Sequence, residues 1–241
     1  MYEPRFYRSW IKDIDLVSFN AVEKQTDLFI RAKRNLKDKT IKSMLKHRAS
    51  LERYIEHHPL FLTTLEPYQV GENAPAIVKE MAQAAQVAGV GPMAAVAGAI
   101  AEAVGRDLLP WSSEIIVENG GDIFLKTGKK RLVGVYAGES PFTRRIALEI
   151  EPEETPLGIC TSSGIVGHSL SLGSANAVIA LSPSTALADA TATAIGNIVR
   201  STQDISKAIE KVQSMQGLHG IVIIKDDKIG VWGKVKIVPL S

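Results

Sequence analysis

The chain has 241 residues, 45% of them hydrophobic, with 28 Lys and Arg against 26 Asp and Glu. A net charge of +2 excludes a polyacidic or polybasic tail protein, and the apolar content excludes wholesale disorder. The single cysteine, Cys160, excludes an internal disulfide framework and any zinc site built on several thiolates.

Basic residues open the chain, but Lys12, Asp13 and Asp15 interrupt any apolar stretch behind them. The expectation is therefore no secretory signal and a cytoplasmic address. Leu16–Val22 and Leu28–Ala32 read as strands around a polar Glu23–Asp27 turn. A basic helix, Asp38–His57, follows, with Ile41, Leu45, Leu51 and Ile55 on its apolar side. Residues 24–53 carry ten basic side chains against three acidic ones, which could attract an anionic partner. No nucleic-acid motif accompanies that charge, so it reads as a solvated helix face and no nucleic-acid partner is expected.

Residues 81–101 carry no charge and are long enough to span a bilayer. They are rich in alanine, however, and Gly89, Gly91 and Pro92 sit in the middle. Two small-residue helices, Pro75–Ala88 and Pro92–Val104, fit better, with the proline opening the second, and no membrane association is expected. Short strands are predicted at Glu114–Glu118, Ile123–Lys126, Leu132–Tyr136, Arg145–Ile150, Gly158–Thr161 and Ala177–Leu181. A helix capped at Ser182-Pro183 should run to Val199, and another spans Asp204–Gln213. A terminal hairpin joins Gly220–Lys225 to Lys228–Val238. Strands and helices do not alternate regularly, which argues for a single α+β domain over residues 1–241 rather than a doubly wound sheet.

Three segments use residues that a plain core does not need. In Asn119-Gly120-Gly121-Asp122 two glycines let the backbone turn with positive φ and approach a ligand, and Asp122 can accept a hydrogen bond from it; the same four residues also suit an ordinary hairpin turn. Thr161-Ser162-Ser163-Gly164 is a hydroxyl-rich loop that leads to His168, a side chain suited to moving protons near neutral pH. It is either a reactive loop or a surface loop with an incidental histidine. Asp189 and Thr193, four apart on a predicted helix, place a carboxylate and a hydroxyl on one face. That pair suits a hard cation such as Mg²⁺, or the aspartate bonds a nearby backbone N–H. Cys160 lies in an apolar strand and reads as a buried small hydrophobe.

The order of these segments behind a small-residue helix resembles the ApbE-type flavin transferases. It is most similar to the short, uncharacterised-protein-family branch of that superfamily. The resemblance covers about residues 91–197, the motif-bearing core, and leaves the basic N-terminal strands and helix of residues 1–60 outside it. It implies a T-fold-related architecture with mixed or antiparallel sheets, and Mg²⁺-dependent movement of FMN from FAD onto a protein threonine. By this resemblance Asn119, Gly120, Gly121, Asp122, Thr161, Ser163 and Gly164 bind the flavin nucleotide. Asp189 and Thr193 then hold the metal, and His168 serves as the proton shuttle. The sequence departs from the transferase pattern after the histidine, where Ser169-Leu170-Ser171-Leu172-Gly173 stands, and at Ala97, where a lysine is usual.

Two functions are carried forward. One is a flavin- or nucleotide-binding protein with Mg²⁺, acting as an FMN transferase or cleaving the FAD pyrophosphate, with a small-molecule nucleotide or a protein acceptor as partner. The other is a non-catalytic accessory protein linked to sulfur assimilation and homocysteine biosynthesis. Alanine- and glycine-rich helices that pack closely are also compatible with a homo-oligomer.

Overall fold

A computed structural model describes residues 15–164 and 172–240 of the chain. Its centre is an eight-stranded antiparallel sheet in the order β1-β2-β3-β4-β7-β8-β9-β10. These strands are β1 (Val17–Glu23), β2 (Thr26–Ala32), β3 (Ile115–Asn119), β4 (Asp122–Lys126), β7 (Leu157–Ser162), β8 (Ala177–Ser182), β9 (Gly220–Lys225) and β10 (Lys228–Gly233). A second sheet of three strands has the order β11-β6-β5, built from β5 (Arg131–Gly134), β6 (Ile146–Ile150) and β11 (Ile237–Pro239).

The helices are α1 (Lys37–His57), the one-turn α2 (Leu60–Thr63), α3 (Ala76–Ala88), α4 (Val96–Leu108), α5 (Thr185–Gly196) and α6 (Asp204–Gln213). Alternation along the strands sorts the core into layers. Leu28, Ile30, Val117 and Phe124 pack beneath α1, α3 and α4, while Cys160, Val178, Ala180, Ile221 and Ile223 pack beneath α5 and α6. On the opposite face Leu157, Ile159, Ile179, Leu181 and Val222 meet Leu148 and Ile150 of the small sheet. Strands β7, β8 and β9 are thus covered on both sides, which is why they are continuous apolar runs rather than alternating ones.

The α+β class, the antiparallel sheets and the packed small-residue helices are as the sequence led one to expect. Several boundaries differ for local reasons. Pro92–Ala95 forms a 3₁₀ turn, so α4 starts at Val96 rather than at the proline. The cap of α5 is Ser184, whose hydroxyl accepts the Leu187 N–H, while the Ser182 hydroxyl donates to Gly217 O. The expected long terminal strand splits because Gly233 takes φ +85, a left-handed conformation that turns the chain out of β10; β11 then joins β6 in the small sheet. No single helix among the described residues is long and apolar enough to cross a membrane; α3 and the segment Pro92–Trp111 meet at 105°. Both α3 and α4 contribute to the core.

Candidate functional site

Strands β3 and β4 form a two-residue hairpin in which Asn119 pairs with Asp122. Gly120 at φ +69 and Gly121 at φ +106 supply the two positive dihedrals that such a turn requires. The hairpin-turn reading of this segment is therefore correct, and it does not exclude a ligand. A Cβ built on Gly121 would make only ordinary contact with Thr161, 3.8 Å from its O and 4.0 Å from its Cβ, so the turn is not crowded there.

Behind the turn the side chains converge on the helical face of the sheet. Asn119 donates through Nδ2 to Ala97 O in the first turn of α4 (3.1 Å). One residue further along α4, the Gly98 N–H donates to Asp189 Oδ2 on α5 at 2.8 Å. Glycine is required at 98, since a Cβ would stand 2.5 Å from Thr185 O and 2.9 Å from Asp189 Cβ. Asp122, the first residue of β4, is buried in the same region beside the Cys160 thiol and the Thr161 backbone N–H, which favour its charged form. The thiol donates to Thr185 O at 3.3 Å.

The site thus holds two buried carboxylates on facing elements. Among the described residues neither forms an ion pair. Burial, followed by the charge of Asp189, pushes the Asp122 carboxyl well above the usual carboxylate range. Burial raises Asp189 to about 7, against the opposing pull of the Gly98 and Ala97 amides. The Cys160 thiol is likewise pushed up, by burial first and then by the two aspartates. Cys160 is a buried, protonated thiol, as its apolar strand suggested.

The structure brings Asn119, Gly120, Gly121, Asp122 and Asp189 into one neighbourhood. Thr193, half-buried, lies one turn beyond Asp189 on the same stripe of α5. Thr161 lies beside the turn, its Cβ 4.0 Å from where a Cβ on Gly121 would stand; Gly158, Cys160 and Ser162 face α5, so its side chain is next to Gly121 but on the opposite face of the sheet from Asp122. Ser163 is half-buried and Gly164 exposed just past the end of β7. His168 lies outside the described residues. The two ends of that segment are fixed, since Gly164 N–H donates to Ala175 O (3.0 Å) and Leu172 N–H to Asn197 Oδ1 (2.9 Å).

Among the described residues no group of three or more His, Cys, Asp or Glu side chains is arranged to hold a metal ion. A cation here would have to be held by a few oxygens. The donors present, the Asp122 and Asp189 carboxylates with the Thr193 hydroxyl, are hard oxygen ligands of the kind Mg²⁺ takes when substrate phosphate and water complete its shell. Two desolvated carboxylates without a cationic partner fit such an ion. The sequence reading missed Glu102. Its signal was a lone charge in the otherwise uncharged stretch 96–105, and it proves to be buried between α4 and α5.

Comparison with known proteins places the fold. A UPF0280 protein of Methanocaldococcus jannaschii is 45% identical over 197 residues, which are 80% of this chain and 80% of that protein. Another, from Methanosarcina acetivorans, is 45% identical over 191 residues, 78% of this chain and 75% of its own. The apo flavinyl transferase ApbE of Pseudomonas stutzeri shares the fold, with a TM-score of 0.59 over 91% of this chain and 94% of its own, at 12% identity. The flavin transferase ApbE from Vibrio cholerae does so with a TM-score of 0.55 over 90% and 96%, at 14% identity. The family model described as AbpE bacteria matches residues 8–231. The chain belongs to this family, an uncharacterised branch of the ApbE-like superfamily.

Proposed function

We propose that the chain binds a flavin dinucleotide together with Mg²⁺ at the junction of the Asn119–Asp122 turn and α5, and that it transfers FMN from FAD to an acceptor hydroxyl. The observation that carries this reading is the Asp122–Asp189 pair, two buried carboxylates with no ion-pair partner among the described residues, beneath a glycine turn that is not crowded. The family and the fold of the flavin transferases support it.

In this reading the flat flavin or its phosphates lie against the backbone of the Gly120-Gly121 turn, where no side chain stands in the way. Asn119 fixes the turn against α4 through Ala97 O. The acceptor oxygen, from a protein threonine or from water, forms a bond to the phosphorus of the FMN half. The bond from that phosphorus to the AMP oxygen breaks, and AMP leaves. His168 takes the proton from the attacking hydroxyl. A divalent cation supplies neutralisation of the charge that develops on the leaving phosphate. Asp189 is held for it by the Gly98 amide, and Asp122 by its burial against the Cys160 strand. The site belongs to a protein of the cytoplasm, with no nucleic acid as partner.

Incubation with FAD, Mg²⁺ and candidate acceptor proteins tests this. Release of AMP or FMN, or a flavin-labelled acceptor, is expected. Absence of release, transfer and any thermal shift with FAD refutes it.

One observation favours the second reading, a non-catalytic accessory protein of sulfur assimilation and homocysteine biosynthesis. Asp189 Oδ2 is already engaged by the Gly98 N–H, as a purely structural aspartate would be. Under that reading a stable partner protein is recovered, and Asp189→Ala and His168→Ala leave its binding intact.

A further inference from the structure

Helices α4 and α5 run antiparallel and are joined at two levels. At one, the Gly98 N–H donates to Asp189 Oδ2 (2.8 Å). At the other, Glu102 Oε2 accepts the Thr185 N–H, the first amide of α5, at 2.6 Å. Each helix contributes residues four apart, 98 and 102 on one and 185 and 189 on the other, so the two bonds are successive rungs of one contact. The helices touch too closely for either rung to slide, because the backbone of Thr185 lies against Gly98.

Glu102 is buried, and a buried carboxylate is tolerated only when it is fully partnered. Its Oε1 accepts both Nε and Nη2 of Arg106, at 2.8 and 2.6 Å. That pair balances the charge of the carboxylate at Oε1, while Oε2 is held in place by the positive end of α5. Glu80 on α3 is the other acid facing it; its carboxyl is raised by burial and then by the charge of Glu102.

We propose that Glu102 is a positioning residue for the cation site: by fixing the first amide of α5 to α4, it sets the rotation and height of the stripe that carries Asp189 and Thr193. This inference rests on the reading of Asp122, Asp189 and Thr193 as cation ligands. Glu102 touches neither the ion nor the substrate; it acts through Asp189, one turn along α5. Arg106, about half exposed, holds the same carboxylate through Oε1 alone and leaves Oε2 to α5, which separates positioning from stability.

The test uses the full-length protein, titrated with Mn²⁺ and followed by its electron-spin signal. Thermal unfolding and hydrogen exchange of the Gly98 amide are measured alongside. Glu102→Ala is expected to weaken Mn²⁺ binding by about tenfold or more, the usual cost of removing a group that orients a ligand. It should also speed exchange at Gly98. Glu102→Gln, whose carbonyl can still accept the Thr185 N–H, is expected to restore binding to within roughly threefold of the wild type, well short of that orienting cost. Arg106→Ala should lower the unfolding temperature while leaving both Mn²⁺ binding and Gly98 exchange near wild type.

If Glu102→Ala and Arg106→Ala weaken Mn²⁺ in proportion to their loss of thermal stability, Glu102 is merely structural and the proposal is overturned. Unchanged affinity in Glu102→Ala overturns it as well. If the wild type takes up no Mn²⁺, the cation reading fails on its own, and Gly98 exchange then decides the placement of Asp189: equal exchange in the two variants overturns it, and acceleration confined to Glu102→Ala upholds it. Should Glu102→Ala not fold, Thr185→Pro removes the same bond from the other side, since proline is tolerated at the first helical position, and it must weaken Mn²⁺ alike.

Discussion

Gly98→Ala sets two opposed effects against each other at the point where α4 meets α5. In an open helix the change would stabilise by up to about 1 kcal/mol, because alanine loses less backbone entropy than glycine. At 98 the new Cβ would stand 2.5 Å from Thr185 O and 2.9 Å from Asp189 Cβ. Restoring an ordinary 3.4 Å contact requires α5 to retreat by about 0.9 Å. The neighbours are a backbone carbonyl and a Cβ, so no flexible side-chain end can give way. Overpacking of this kind costs about 1–3 kcal/mol. The retreat also stretches the Gly98–Asp189 bond, and a hydrogen bond to a buried charged group contributes about 1.5–3 kcal/mol. Packing therefore outweighs propensity, for a net loss of roughly 2–4 kcal/mol. For a chain of this size that corresponds to a fall of about 5–15 °C in unfolding temperature. Thermal and urea unfolding of Gly98→Ala beside Gly71→Ala, where a Cβ meets nothing within 4 Å, reads the difference. A Gly98→Ala protein as stable as the wild type, or more stable, would refute the reasoning.

Other consequences can be measured on the same material. With its pKa raised to about 7 by burial, Asp189 binds a proton in the folded state over a range where it is ionised in the unfolded one. Without divalent cations, stability should therefore fall as pH rises from about 4 to 7, and Asp189→Asn should flatten that slope in urea titrations. Glu114 has the opposite sign: burial works against its charge, but Lys33, Arg131 and Thr127 hold it down at about 2. Its contribution is present above the ordinary carboxylate range and lost as pH falls toward 2, a loss that Glu114→Gln should remove from the acid limb. Arg131 bonds Glu114 Oε2 at 2.6 Å and both oxygens of Asp15, at 2.8 and 3.0 Å. Arg131→Ala leaves the buried Glu114 with Lys33 as its remaining cationic partner and should cost about 3 kcal/mol, against less than about 1 for the exposed Lys129→Ala. Gly121→Ala should cost about 1–2 kcal/mol through its φ of +106 alone, since the added Cβ makes only ordinary contact with Thr161.

The parts of the fold legible in the sequence were those with one dominant physical cause. Ala177–Leu181 and Gly220–Lys225 are unbroken apolar runs because both faces of β8 and β9 are covered, and they were placed almost to the residue. The Asn-Gly-Gly-Asp turn was readable because positive φ leaves few alternatives to glycine. Features set by tertiary contact were not. The terminal strand looked continuous because Lys234–Val238 is good strand material, and nothing local announces that Gly233 hands it to another sheet. The partition of Thr161 from Asp122 follows from the register of β7 on β4, which spacing along the chain does not encode. Glu102 left only a faint mark, one charge in an alanine-rich helix, since its partner at Thr185 is 83 residues away. Asp189 and Thr193 were legible as a helical pair, while the burial that raises Asp189 came from α4 packing over it.

The central claim is that Asp122 and Asp189 are paired to hold a divalent cation for a flavin dinucleotide. Crystals grown with Mn²⁺ and FAD, measured at a wavelength where manganese scatters anomalously, test it most directly. The expected result is one anomalous peak in contact with an Asp189 oxygen and the FAD phosphates, absent from Asp189→Ala crystals. A peak elsewhere, or FAD bound with no metal beside Asp189, would contradict it.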